Sequence, residues 1–378
     1  MKVYICLKKI TKNKMKITII AGARPNFMKI APLMRAIQTA KRSGKNISAR
    51  LVYTGKADDA SLEPSLFTDL DMPRPDAYLN IESTDFFQRM AGILVAFARE
   101  LEQHPAHIVM VVDDLTPTMA CSIVAHKKGI KVAHLVAGVR TFDRNAPKEV
   151  NRIITDGLSD ILFTAGMVAN RNLNQTGTQQ SHVHFVGNIL IDTLRYNRPR
   201  LQRPVSFSIL GLKEKDYLLF TLNRRSLLQD DKKLKAIFQT LLSHTDKRIV
   251  APLHTYVKER LRALGITDER LVILPPQPYL AFGYLINQAS AILTDSGNVA
   301  EEATFLGIPC ITLNTYAEHP ETVTIGTNCL VGEDTDLLAQ ALTTWEKGEW
   351  KKGNLPERWD GRTAERIVQT LLEDSQLS

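Results

Sequence analysis

At 378 residues and 44% hydrophobic, the chain is long enough for two buried cores, and it has no run of eighteen apolar residues of the kind that crosses a membrane. Its formal charge of +8 suits an anionic partner, but the cations form no run of five and the aromatics do not interleave with them, which argues against nucleic-acid recognition. Cys6, Cys121, Cys310 and Cys329 contain no CxxC and lie too far apart for a disulfide scaffold or a zinc site, so a reducing, cytoplasmic compartment is expected.

The opening stretch MKVYICLKKITKNK is apolar only in short pieces and has no small-residue cleavage site, which makes it a poor signal peptide. Met15 starts a cleaner strand, so residues 1–14 read as an N-terminal extension or a misassigned start. Strands are predicted at 16–22, 49–55, 107–114, 131–137, 161–166 and 183–188, each with the near-continuous apolar content of a parallel strand covered on both faces. Helical stretches such as NFMKIAPLMRAIQTAKR alternate with them.

The proline-bearing segment 195–208 reads as a linker, after which the pattern restarts with strands at 217–223, 248–254, 271–276, 291–297 and 309–314. Two successive α/β units predict two doubly wound, Rossmann-like domains, 15–198 and 199–378, with the ligand in a cleft between them. The amphipathic last helix, TAERIVQTLLE, is expected to close on a domain and can cross back to the first.

Three stretches carry chemistry. In AGARPNFMKIAPLM, Gly22 allows close backbone approach, Pro25 suits a helix start, and Arg24 and Lys29 supply cations to a helix N-terminus, a credible phosphate site. In ILTDSGNVAEEATFLGIP, a strand ends at Asp295-Ser296-Gly297 and a helix begins, so the Ser296 hydroxyl and backbone N–H groups can converge on a diphosphate, with Glu302 in reach of ribose hydroxyls. The alternative reading of the same residues is a plain capped helix. The third stretch, KVAHLVAGVRTFDRNAPKEVNR, runs from a buried strand into a loop of charged and amide side chains. His134 in that strand is either a core histidine or a site residue, His254 at the end of RIVAPLH is equally open, and His182 and His184 read as structural.

Taken in order, GARPNFMKIAPL, AHLVAGVRTFD, PKEVNR, FVGNILID, TDSGNVAEEA and HPETVTIGTN resemble the non-hydrolysing UDP-N-acetylglucosamine 2-epimerases. That resemblance spans residues 15 to about 370 and implies the two-domain GT-B fold, a homodimer, UDP or a UDP-N-acetylhexosamine as ligand, and no metal or other cofactor. It also implies a reaction: UDP is eliminated to leave a glycal, then added back with C2 protonated from the opposite face. Proton exchange at C2 needs a positioned base and acid, and the departing UDP needs cationic stabilisation.

The resemblance implies departures as well. The acid–base Asp corresponds to Asp114, but one catalytic Glu corresponds to Val136, a second to Lys148, and the His of a His-Arg pair to Asn223, followed by Arg224. Asn298 stands for a glycine, His319 for an arginine, and Gly55-Lys56-Ala57 for the GQH of an activating second site. Valine exchanges no proton, and a lysine of ordinary pKa near 10.4 is a poor base. Two rescues are open: Lys148 lowered in pKa by burial near Arg140 or Arg144, or Glu149 and Asp143 turned inward. The sequence thus leaves an epimerase with a rearranged acid–base set (Asp114, Glu149, Lys148, Arg140), a nucleotide-sugar-binding homologue without epimerase activity, and a UDP-sugar hydrolase or transferase. In all three, Arg24, Lys29, Asn223, Arg224, His254, Ser296, Gly297 and Glu302 form the anchor.

Overall fold

A computed structural model describes residues 14–377; the expected extension therefore lies outside the described residues, apart from residue 14. Seven strands form the first sheet: β1 (Met15–Ala21), β2 (Ile47–Tyr53), β3 (Ala77–Tyr78), β4 (Ile108–Val112), β5 (Lys131–Leu135), β6 (Ile161–Thr164) and β7 (Val183–Phe185). Their order is β3-β2-β1-β4-β5-β6-β7, and every pairing is parallel. The second sheet holds β8 (Tyr217–Thr221), β9 (Arg248–Pro252), β10 (Leu271–Leu274), β11 (Ala291–Thr294), β12 (Cys310–Thr312) and β13 (Asn328–Leu330), also all parallel, in the order β10-β9-β8-β11-β12-β13.

The central strands are buried along most of their length, as their largely apolar sequences require; β4, IVMVV, is buried throughout. Flanking helices cover both faces with residues at helical spacing, such as Phe27, Ile30, Ala31 and Ile37 of the helix Arg24–Arg42. In both sheets the strand order reverses at the centre, between β1 and β4 and between β8 and β11. Crevices open at the carboxyl ends of strands at such reversals, and here the two crevices share one cleft.

The observed strands stop one to three residues short of several predicted ends. Those residues leave the sheet to build the cleft: Asp113, just past β4, and Val136, just past β5, both take left-handed backbone, with φ of 60° and 72°. The edge strands β3 and β13 are too short to read from apolar runs. The final helix, Thr363–Leu377, packs Ala364, Ile367, Val368 and Leu371 into the core of the first sheet, which Tyr279 and Leu280 from the second half also enter.

Candidate active site

The cleft has a volume of about 580 Å³, within the range of small-molecule sites. One wall begins at the turn after β1. Gly22 keeps that turn close to its neighbours: a Cβ there would lie 3.0 Å from the Cβ of Pro117 and 3.2 Å from Cδ1 of Leu115, so they would have to give way slightly. Asn26 ties the turn down: its Oδ1 accepts the N–H groups of Gly22 and Ala23 at 2.8 and 3.1 Å, and its Nδ2 donates to Asp113 at 2.7 Å. Lys29 is buried and donates to the other Asp113 oxygen at 2.5 Å. Burial opposes its charge, but Asp113 and Glu301 outweigh burial and hold the ammonium above its ordinary pKa. Lys29 lines the cleft, whereas the Arg24 side chain turns away to fork onto Glu63, with Nε at 3.2 and 3.1 Å and Nη2 at 2.5 Å. Arg24, expected at the diphosphate, does not line the cleft here, and its charge is matched by Glu63.

The tips of β4 and β5 supply the centre. Asp114 is 8% exposed and lines the cleft, bound by Arg152 Nη2 at 2.5 Å and by Lys148 Nζ at 3.3 Å. Burial works against its charge, but Lys148 and Arg152 prevail and hold the carboxyl below its usual range. Val136 also faces the cleft, and so does Lys148. Neither anticipated rescue holds in the form expected. Lys148 is raised, not lowered, in pKa: burial is overcome by Asp114 and Glu318. Asp143 is exposed and caps its own loop at Asn145 N, 3.0 Å.

Glu149, 1% exposed, points into the loop: it accepts Thr141 N at 2.8 Å, Thr141 Oγ1 at 2.9 Å and Phe142 N at 3.2 Å, and pairs with Arg152 at 3.4 Å. It shapes the loop and does not line the cleft, so its place in the acid–base set is corrected. Arg140 is corrected likewise, since it forms a buried pair with Asp156 at 2.6 Å. The same Asp156 accepts from His134 Nδ1 at 2.7 Å, which makes His134 a hydrogen-bonded core histidine.

The opposite wall comes from the second sheet. Asp295, past β11, accepts the backbone N–H groups of Asn223 and Arg224 at 2.7 and 2.5 Å, stapling the β8 and β11 turns together. Asn223, Arg224, Ser296 and Gly297 all line the cleft, with Gly297 opening the helix Gly297–Leu306. Ser296 makes no side-chain cap of that helix. One turn on, Glu301 faces the cleft, its carboxylate bound by Asn188 Nδ2 at 2.6 Å and lying 3.8 Å from His319 Nε2. Glu302 points away into the protein, where burial and then Glu301 push its carboxyl up to about 8. Glu302, expected at the ribose, does not line the cleft, whereas its neighbour Glu301 does. His254 is exposed and stacks on Tyr256 outside the cleft. Glu318, on the loop after β12, reaches across to Arg152 at 3.2 Å and Lys148 at 3.7 Å.

Sequence reasoning thus missed Asp113, Arg152, Glu301 and Glu318. Glu301 had a usable signal: it lies four residues after Gly297, hence on the same helix face. Glu318 sits in an irregular loop where spacing carries no such information.

A family model described as UDP-N-acetylglucosamine 2-epimerase matches residues 39–372. The UDP-N-acetylglucosamine 2-epimerase of Methanocaldococcus jannaschii is 33% identical over 372 residues, covering 94% of this chain and 99% of its own. This chain belongs to the UDP-N-acetylglucosamine 2-epimerase family. The Pseudomonas aeruginosa UDP-2,3-diacetamido-2,3-dideoxy-D-glucuronate 2-epimerase is 32% identical, over 87% of this chain and 92% of its own. The M. jannaschii enzyme in complex with UDP-GlcNAc and UDP superposes with a TM-score of 0.83 over 95% of this chain and all of that one. The Neisseria meningitidis enzyme bound to UDP-GlcNAc gives 0.84 at 26% identity, over 95% of this chain and all of that one. The GT-B fold of the family is the fold described above.

Proposed function

We propose that the cleft binds a UDP-N-acetylhexosamine and epimerises it at C2, with Asp114 as an acid–base group. The observation that carries the reading is the placement of Asp114: an ionised carboxylate at a strand tip, flanked by two cations and facing the Ser296–Gly297 turn across the cleft. The relatives' bound ligands support the choice of nucleotide sugar. Lys29, the Ser296 turn and the N-terminus of the helix Gly297–Leu306 are the anchor for the diphosphate, and Glu301 is the acceptor for ribose hydroxyls.

In the forward step Asp114 takes the C2 proton, the C–H electron pair becomes the C1=C2 bond, and the C1–O bond breaks with its pair leaving on UDP. Arg152 and Lys148 offset the negative charge in this part of the cleft. UDP then adds back to C1 as C2 receives a proton on its other face. Assembly as a cytoplasmic homodimer belongs to the same proposal.

Proton NMR in D2O tests it with UDP-GlcNAc and UDP-ManNAc supplied separately. Interconversion with deuterium at C2 is expected, and Asp114→Asn should slow it by about 10²–10⁴-fold while UDP still binds. UDP binding with no exchange at either sugar would overturn the epimerase reading and leave a nucleotide-sugar-binding protein.

A further inference from the structure

The reaction proposed above needs two proton-exchanging groups, one for each face of C2, and among the described residues the first domain brings only Asp113 and Asp114 to the cleft as carboxylates. Among the described residues, five carboxylates line the cleft: Asp113, Asp114, Asp295, Glu301 and Glu318. Asp113 is neutralised by Lys29 and held by Asn26. Asp295 is spent on two backbone N–H groups, and Glu301, 2% exposed, is held by Asn188. Glu318 differs from these three. Its side chain is 28% exposed, it bonds to Arg152 and pairs with Lys148, and it enters from the domain opposite Asp114. Asp114 and Glu318 share the same guanidinium nitrogen, Arg152 Nη2, and the same ammonium, so both border one small space from facing walls.

We propose that Glu318 is the second acid–base residue, exchanging the C2 proton on the face opposite Asp114; this rests on the epimerase reading. For one epimer Asp114 removes the proton and Glu318 in its acid form delivers one to C2 of the glycal as UDP re-adds. For the other epimer the roles reverse, so each turnover takes one proton and returns one. Lys148 is unsuited to the task, because Asp114 and Glu318 make its ammonium hold its proton more tightly. His319 is turned toward Glu301 and packs edge-on against Trp359.

Glu318→Gln keeps an oxygen for Arg152 and Lys148 but exchanges no proton. Expected in the NMR assay is a loss of interconversion of about 10²–10⁴-fold, with UDP affinity within threefold of the parent. Release of UDP and glycal should be blocked from one epimer only, and Asp114→Asn should block the other. Interconversion within tenfold of the parent overturns the proposal, as does a joint loss of UDP affinity, which would make Glu318 a domain clamp. It is also overturned if His319→Gln, and not Glu318→Gln, shows the one-sided block. An inactive parent protein fails the epimerase reading itself, and the proposal with it.

Discussion

Val136 shows how a single residue can be legible in identity and hidden in conformation. The sequence presents it as an apolar residue near the end of a strand, yet its φ of 72° is left-handed, a conformation that β-branched side chains rarely take. Its N–H and that of Ala137 both go to the carbonyl of Phe163, which holds the turn in place. Such a backbone costs about 1–3 kcal/mol for a residue with a Cβ and nothing comparable for glycine. The usual order, in which Gly is less stable than Ala by roughly 0.5–1 kcal/mol, should therefore invert here. Val136→Gly is expected to exceed Val136→Ala in stability by about 1 kcal/mol in urea unfolding, since both lose the two γ-methyl groups and differ only by the Cβ. An Ala variant as stable as the Gly variant would show that the turn relaxes without strain.

At the scale of elements, the strands and the phosphate-facing turns were readable because both follow short-range rules: unbroken apolar runs, and polar or glycine residues where a strand meets a helix. The inward face of the helix Gly297–Leu306 was not resolved in the same way, because two adjacent glutamates fit the pattern and only helical phase separates them. Phase gives Glu301 to the cleft and Glu302 to the interior. The loop carboxylates, Glu149 turned inward to backbone N–H groups and Glu318 crossing the cleft, depend on tertiary placement that no periodicity encodes.

Burial of Glu302 makes a prediction about the same helix. Its folded-state pKa of about 8 lies above that of an unfolded glutamate, near 4.3. Below about pH 4 both states hold the proton; from there to about pH 8 only the unfolded chain releases it, so stability falls as pH rises through this window. Glu302→Gln has no proton to lose. At pH 9 it should exceed the parent by on the order of 5 kcal/mol, with the gap closing toward pH 4, as measured by denaturant unfolding across the range. A gap independent of pH would mean that Glu302 reaches a charge partner or water when ionised.

For the whole molecule, chain order and spatial order part company at the end. The amphipathic pattern of TAERIVQTLLE shows that a face must be covered but not by which domain; the structure places that face in the first core, beside the helix Arg24–Arg42. Asp192, in the helix Ile189–Asn197, fixes the arrival by accepting the N–H groups of Thr363 and Ala364 at 3.1 and 2.8 Å. Ile367, Val368 and Leu371 are together expected to contribute about 6 kcal/mol by burial, comparable with the whole stability of a typical domain. A chain ending at Arg362 should therefore lose the first domain selectively, since the second core draws on none of these residues. Hydrogen exchange would show it: protection lost along β1 and β4 but retained along β8 and β11. If β1 and β4 stay protected to the parental level, the first core is self-sufficient and the last helix is a surface cover. If all four strands lose protection together, the two domains fold as one unit, and the cleft between them cannot open without weakening both.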